Sequence, residues 1–377
     1  MKRSSWKIGV MASLPRGDTR LTKHLPEDRF CRSLCVHGPR FGMDVYVFSP
    51  VDYNDATGDL YGFKLKNGEW SYEKCPLPEA VYDRSSCMTS LERSTCESML
   101  NRMKQRKQWI RLGTQLPGKA AVYRSLEQSK EIADMIPRTE RYVNRIQLSG
   151  RLNTEAGGII LKPDAGMQGR GIIRIYKDAA AGKYQLRGRT GGNRSYAASY
   201  DTLESCAEAA HRKVAGRHYL IQPYLNLTDK EDVPFDIRVL VQKEARGRWS
   251  VTGIAVRCGE SGSVTANLHG GGTAKPAEPA LREIFGKQTA EQLLRTLPQA
   301  SLAIAERLEQ SFGRLLELGI DFGIEPDGRI WLLEANSKPG RSLFTLLNQC
   351  GTAEQSVVRP LLYARLLCAR RTHQLFK

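Results

Sequence analysis

Near the end of the 377-residue chain, Gly319-Ile320-Asp321-Phe322-Gly323 is followed by Trp331-Leu332-Leu333-Glu334-Ala335-Asn336, with Glu325-Pro326-Asp327-Gly328-Arg329 between them. An Asp-Gly step flanked by apolar runs is a hairpin signal, so the two runs are predicted to be paired strands. Each carries acid or amide groups among apolar neighbours, where a carboxylate without a partner is costly. Glu334 and Asn336 are two apart and share one face of a strand, and antiparallel pairing can bring Asp321 beside them. Asp321, Glu334 and Asn336 are hard oxygen donors of the kind that hold Mg2+ in sites shared with substrate phosphates. The segment points to an enzyme that uses a nucleotide.

The length predicts two or three domains. In the first 100 residues, Lys7 to Met11, Met43 to Phe48 and Ala80 to Tyr82 read as strands, and Asp28 to Gly42 as a helix closed by Gly42. This βαβ pattern predicts a small doubly wound α/β domain. Asn67-Gly68 is a hairpin turn between Tyr61–Leu65 and Glu69–Tyr72, and Thr89 to Lys107 is predicted helical. Helices are expected over 120–133 and 143–152. Gly158 to Pro163 and Gly171 to Tyr176 read as antiparallel strands, and 187–195 as an exposed loop or turn. A helix over 203–215 and strands over 219–225, 236–242 and 249–258 follow. Gly270-Gly271-Gly272 reads as loop, 289–318 as helix and Ser356 to Lys377 as a basic helix.

Apolar residues make up 41% and charged residues 26%, ordinary for a globular protein. No apolar run approaches the ~20 residues that span a bilayer. Ile8 to Ala12 is too short for a signal-peptide core, so a cytoplasmic location is expected. Nine scattered cysteines, without paired Cys-x-x-Cys motifs, read as reduced and mostly buried thiols. The net charge is +17, and residues 101–200 carry 20 Lys+Arg against 7 Asp+Glu. A basic middle suits nucleic acid, an anionic surface, or a nucleotide with an acidic substrate. The run Arg102, Lys104, Arg106, Lys107 beside Trp109 also fits a solvated helix face. No aromatic interleaving at a recognisable motif spacing supports nucleic acid.

Between the strands at 158–163 and 171–176 lies Asp164-Ala165-Gly166-Met167-Gln168-Gly169-Arg170, with Lys162 at its base. Gly166, Gly169 and Gly171 permit close approach of backbone N–H groups to phosphate oxygens, though a glycine-rich hairpin also occurs without any ligand. Gly113 to Ala120 nearly matches a Walker A loop, but Ala120 stands where a hydroxyl must reach the metal and no strand precedes it. Asp321-Phe322-Gly323 resembles the kinase metal motif, yet no His-Arg-Asp segment lies upstream.

Order along the chain is more specific. Lys162-Pro163 and the glycine hairpin precede Gln222-Pro223-Tyr224, then Asp236-Ile237-Arg238-Val239, Arg257, and Ala266-Asn267-Leu268-His269. Asp321 and Glu334-Ala335-Asn336-Ser337-Lys338-Pro339-Gly340 follow. In this order residues 115–345 resemble an ATP-grasp enzyme, and 236–340 are similar to RimK-type carboxylate–amine ligases. The whole chain resembles the YheC/YheD ATP-grasp family, named for association with the endospore coat; Val81-Tyr82-Asp83-Arg84 and Ile136-Pro137-Arg138-Thr139 fit its pattern.

The resemblance implies an α/β (α+β) chain with the ATP-grasp fold. A small doubly wound pre-ATP-grasp domain would occupy residues 1–115, the ATP-grasp domain 116–350 and a basic helix 351–377. It implies ATP as cofactor, with magnesium or manganese on Asp321, Glu334 and Asn336. Lys162, Gly166, Gly169, Gly171 and, as a weaker match, Lys119 would bind ATP phosphates, and Gln222 and Tyr224 would lie at the adenine hinge. Arg238, Arg257 and Asn267 would be catalytic. Gln222-Pro223 stands where an acidic hinge residue is common, leaving Asp229 as the candidate for the ribose, and Gly270 replaces a frequent Arg. The implied reaction activates a carboxylate as acyl phosphate for attack by an amine or similar nucleophile. The alternative is an ATP-binding structural or interaction protein of the spore coat, with coat proteins as partners.

Overall fold

A computed structural model describes residues 5–13, 25–86, 89–166, 169–192, 194–214, 216–260, 266 and 272–375. Its first part runs β1 (Trp6–Met11), α1 (Asp28–His37), β2 (Met43–Phe48), β3 (Tyr53–Asn54), β4 (Asp59–Lys66), β5 (Glu69–Cys75), β6 (Ala80–Asp83), α2 (Ser90–Arg106) and β7 (Ile110–Arg111). Strands β2, β1, β6 and β7 are parallel neighbours in that order, and β4 joins antiparallel beyond β2. Helix α1 covers one face through Cys31 and Leu34, and α2 covers the other through Leu100 and Met103, which is the doubly wound arrangement. The β4–β5 hairpin turns at Asn67 and Gly68, both with positive φ (51° and 81°), as a two-residue turn requires. Thr89 and Glu92 form a reciprocal capping box at the start of α2. After α1 a short 3-10 turn over Gly38–Phe41 ends at Gly42, whose φ of 72° stops the chain from coiling further.

The second part comprises α3 (Lys119–Leu126), α4 (Lys130–Ala133), β8 (Glu140–Arg141), α5 (Arg145–Thr154), β9 (Ile159–Pro163), β10 (Ile173–Asp178), β11 (Lys183–Arg189), β12 (Ser195–Tyr200), α6 (Leu203–Val214) and β13 (Tyr219–Pro223). Its sheet has the order β12-β11-β10-β9-β13-β8. Alternate residues Ile159, Leu161, Ile173, Ile175, Tyr219 and Ile221 pack under α5 and α6. The opposite alternation therefore turns Lys162, Arg174 and Gln222 to the other face.

The third part comprises β14 (Phe235–Lys243), β15 (Trp249–Cys258), β16 (Thr273–Pro276), α7 (Ala277–Phe285), α8 (Lys287–Phe312), β17 (Glu317–Ile324), β18 (Ile330–Asn336), α9 (Ser342–Leu346) and α10 (Cys350–Leu375). The antiparallel sheet has the order β16-β15-β14-β17-β18. One face, with Ile237, Val239, Leu318, Ile320 and Phe322, is buried against Leu293, Leu297, Ile304 and Leu308 of α8. The helix α10 packs Leu361, Ala364 and Leu367 into the core of the first sheet, so the tail is tied to the N-terminal part. No helix of the described residues is long and apolar enough to cross a membrane.

Four expectations of element extent are corrected. The helix expected over 120–133 breaks after Leu126 and restarts at Lys130. The exposed loop or turn expected over 187–195 is shorter, because β11 runs to Arg189 and β12 starts at Ser195. The helix expected over 289–318 stops at Phe312, where Gly313 has a φ of 82°, and Glu317 and Leu318 already belong to β17. The tail helix begins at Cys350, not Ser356.

A buried polar network joins the first and third parts. The Glu317 carboxylate accepts from the Tyr82 hydroxyl, from Arg84 at 3.0 Å, from Gln242 at 2.9 Å and from Arg341. Arg84 and Arg341 also donate to the Pro339 carbonyl at 2.9 and 3.3 Å, fixing the segment just past β18. Burial of a lone carboxylate at 1% exposure is tolerable only because cations and donors surround it.

Candidate active site

The polar faces of the second and third sheets meet beside β18. Lys162, near the end of β9, is buried, and its Nζ donates to the Tyr123 hydroxyl at 2.7 Å and to the Leu333 carbonyl at 3.4 Å. Tyr123 in turn donates to the same carbonyl at 2.6 Å, so α3, β9 and β18 share one hydrogen-bond cluster. Removal from water, reinforced by the nearby charge of Lys119 and opposed by Glu334, pushes the Lys162 ammonium down to about 7.

Lys119 opens α3. Its Nζ lies 3.3 Å from the Glu334 carboxylate and donates to the Gly166 carbonyl at 3.0 Å. Asp164 holds this arrangement, since its carbonyl accepts from the Lys119 N–H at 3.0 Å and its side chain from the Ala120 N–H at 2.8 Å. A Cβ at Gly118 would stand 2.6 Å from the Asp164 carboxylate, so a side chain there would push that carboxylate off the Ala120 N–H. Gly169 and Gly171 take positive φ (68° and 75°), as a glycine-built loop demands. Gly166 adopts no such conformation. The Lys162 loop therefore connects to Lys119 through Asp164, a link that residue spacing does not reveal.

Cross-strand register assembles the charged face of the third sheet. Asp236 pairs with Arg257, Arg238 with Asp321, Asp321 with Glu334, and Gly319 with Asn336. A bulge after Asp321 keeps both Asp321 and Glu334 in the ladder. Asp321 receives Arg238 through both oxygens, Nη2 at 2.8 Å, and Arg257 Nη2 at 2.8 Å. Arg257 is bidentate to Asp236 at 2.6 and 2.7 Å. Burial works against ionisation of Asp321, but the two guanidiniums outweigh it and hold the carboxyl below its usual range. Burial, only partly offset by Arg257 and aided by the charge of Asp321, raises Asp236. Gly319 makes room for this cluster, since a Cβ there would stand 3.1 Å from Arg238 and 2.8 Å from Pro339.

Asp321, Glu334 and Asn336 thus sit side by side on β17 and β18, while Asn336 Oδ1 also accepts from the Lys338 N–H at 3.2 Å. Among the described residues no three His, Cys, Asp or Glu side chains form a metal-holding group. Two carboxylates and an amide do fit a magnesium shell that leaves further positions for phosphate oxygens and water. In this structure both carboxylates are met by side-chain cations instead.

At the far end of β13, Gln222 is buried and donates to the Thr139 hydroxyl. The Tyr224 N–H donates to the Gly158 carbonyl at 3.0 Å, and Arg174 lies 3.5 Å from the Tyr224 ring and 4.4 Å from that of Tyr176. Asn267, with His269 and Gly270, lies outside the described residues. Tyr123, Asp164, Asp236 and Arg174 are additions to the sequence-derived set. Asp236 was visible within Asp236-Ile237-Arg238, whereas Tyr123 reads as an ordinary core aromatic of a helix.

Residues 110–367 match the YheC/D-like ATP-grasp family. The endospore coat-associated protein YheC of Bacillus subtilis (strain 168) is 30% identical over 319 residues, covering 84% of this chain and 86% of YheC. The endospore coat-associated protein YheD of the same organism is 28% identical over 311 residues, covering 80% of this chain and 65% of YheD. Among solved structures, the VanG D-Ala:D-Ser ligase of Enterococcus faecalis superposes with a TM-score of 0.55 at 10% identity, covering 95% of this chain and 99% of that one. That likeness concerns the fold, which agrees with the doubly wound domain and the two facing sheets. The chain belongs to the YheC/D-like ATP-grasp family.

Proposed function

We propose that the chain is an ATP- and Mg2+-dependent ligase that activates a carboxylate as an acyl phosphate, which an amine or similar nucleophile then attacks. One observation carries this reading: two lysines of the phosphate-loop side, Lys119 and Lys162, converge on the strand that bears Glu334 and Asn336. Cations from a helix and a strand facing oxygen donors on a neighbouring sheet are what a metal–polyphosphate needs.

In this reading Lys162 and Lys119 receive the ATP phosphates, and Gly169 and Gly171 let the loop backbone close on them. The base lies by Gln222 and Tyr224. Asp321, Glu334 and Asn336 would hold Mg2+ or Mn2+, which would neutralise negative charge on the ATP phosphates. Arg238 and Arg257 stabilise the charge that spreads over the transferring phosphoryl group. The substrate carboxylate oxygen attacks the γ-phosphorus, the bond to ADP breaks, and the acyl phosphate forms. The nucleophile then expels inorganic phosphate and loses its proton; a catalytic role for Asn267 rests on the family resemblance alone. No protein nucleophile is required.

Association with the spore coat is part of the proposal, supported by the names of YheC and YheD. Those names also favour a second reading, an ATP-binding coat protein without turnover. A screen of amino acids, peptides and cell-wall precursors with ATP, Mg2+ and hydroxylamine separates the two. A ligase releases ADP together with a hydroxamate for at least one acid, while a binding protein binds ATP and releases neither.

A further inference from the structure

Two arginines face the candidate metal donors, and they are held differently. Arg257 gives Nε and Nη2 to both oxygens of Asp236 at 2.6 and 2.7 Å and touches Asp321 only through Nη2 at 2.8 Å. Arg238 gives Nε and Nη2 to the two oxygens of Asp321 and has no hydrogen bond to Asp236 among those described. All four side chains are nearly closed off from water, with side-chain exposures of 10–15%. At that depth each charge needs a partner, and the quartet balances at two positive and two negative.

Asp321 cannot serve a cation while both of its oxygens are held by guanidiniums. If it turns to a metal, Arg257 keeps a complete bidentate partner in Asp236, and Arg238 alone is released. We infer that Asp236 is a positioning residue that anchors Arg257, so that metal capture by Asp321 gives up the single Arg257 Nη2 contact without leaving Arg257 unpaired and frees Arg238 for the phosphoryl group. This inference rests on the ligase reading above and concerns the regulation of the same site. Register explains why Asp236 can act so: it lies two residues before Arg238 on β14, on the same face, directly opposite Arg257 on β15.

The consequence has an unusual sign. Removing a positive residue beside a metal site should tighten metal binding, because Asp321 loses a competitor. Removing the negative Asp236 should weaken it, because both arginines then depend on Asp321. The test titrates Mn2+ into the full chain saturated with a non-hydrolysable ATP analogue and follows free Mn2+ by electron paramagnetic resonance. Asp236→Asn, an isosteric change, is expected to weaken Mn2+ binding roughly tenfold or more, and Arg257→Gln to tighten it several-fold. Asp236→Asn/Arg257→Gln is expected to return to within about threefold of the unmodified chain, a rescue that loss of packing would not produce.

Unchanged Mn2+ affinity in Asp236→Asn, or a double variant no better than that single one, overturns the inference. If Asp236→Asn fails to fold, Arg257→Gln decides alone, and weaker or equal Mn2+ binding in it overturns the inference too. Failure of the unmodified chain to bind Mn2+ with the analogue overturns the ligase reading itself, which keeps the two failures apart.

Discussion

The Nζ of Lys162 and the hydroxyl of Tyr123 lie 2.7 Å apart, and both point at one carbonyl of β18, that of Leu333. A helix, a strand of the second sheet and a strand of the third are thereby fastened at the position proposed to receive phosphate. Among the described residues its hydrogen-bond partners are neutral, which is why burial depresses the ammonium so far.

That depression sets a pH dependence. The Lys162 ammonium titrates near 7 in the folded chain against 10.5 for an ordinary lysine. Between these values the unfolded chain holds a proton that the folded chain lacks, so stability falls as pH drops from about 10 to about 7 and levels off below. Lys162→Met is expected to flatten this slope in denaturant melts. Bound phosphates favour the charged form, so ATP binding at pH 8 should take up a fraction approaching about one proton. Calorimetry in buffers of different ionisation enthalpy reads that uptake directly, and its absence would mean that phosphate does not meet Lys162.

Tyr123→Phe removes one acceptor from Lys162 and one donor to Leu333 while keeping the ring. A net loss of about 1 kcal/mol is expected in stability, with ATP affinity lower by roughly fivefold. Equilibrium unfolding and nucleotide titration check the two effects separately. An ATP affinity within error of the unmodified chain would detach Tyr123 from the site.

Glu317→Gln tests the junction of the first and third sheets. Arg84 and Arg341 would keep their place but lose the buried negative charge that balances them. A destabilisation of about 3–5 kcal/mol is expected, the range for removing one partner of a buried ion pair. A change under about 1 kcal/mol in denaturant melts would show that the network is not what holds the parts together.

Much of this arrangement was readable from residue order. Asp321, Glu334 and Asn336 were legible because strand alternation and the Asp-Gly turn fix which side chains are neighbours. Gly42 and Asn67-Gly68 were legible because positive φ restricts residue choice. What escaped depends on pairing between distant segments. Arg84 and Glu317 meet across 233 positions, and no local pattern encodes that contact. The role of Asp236 follows from its register against Arg257, and that of Tyr123 from the approach of α3 to β18. The helix boundary at Gly313 was missed because the apolar run Leu315-Leu316-Glu317-Leu318 suits helix and buried strand equally.

The central claim is that Lys119, Lys162 and Glu334 form one metal–nucleotide site. It is tested most directly by titrating ATP into the chain and into Glu334→Ala, each with and without Mg2+. The expected result is saturable binding that Mg2+ strengthens in the unmodified chain, with that strengthening reduced at least tenfold in the variant. Equal Mg2+ dependence in the two proteins, or no ATP binding at millimolar concentration, would contradict it.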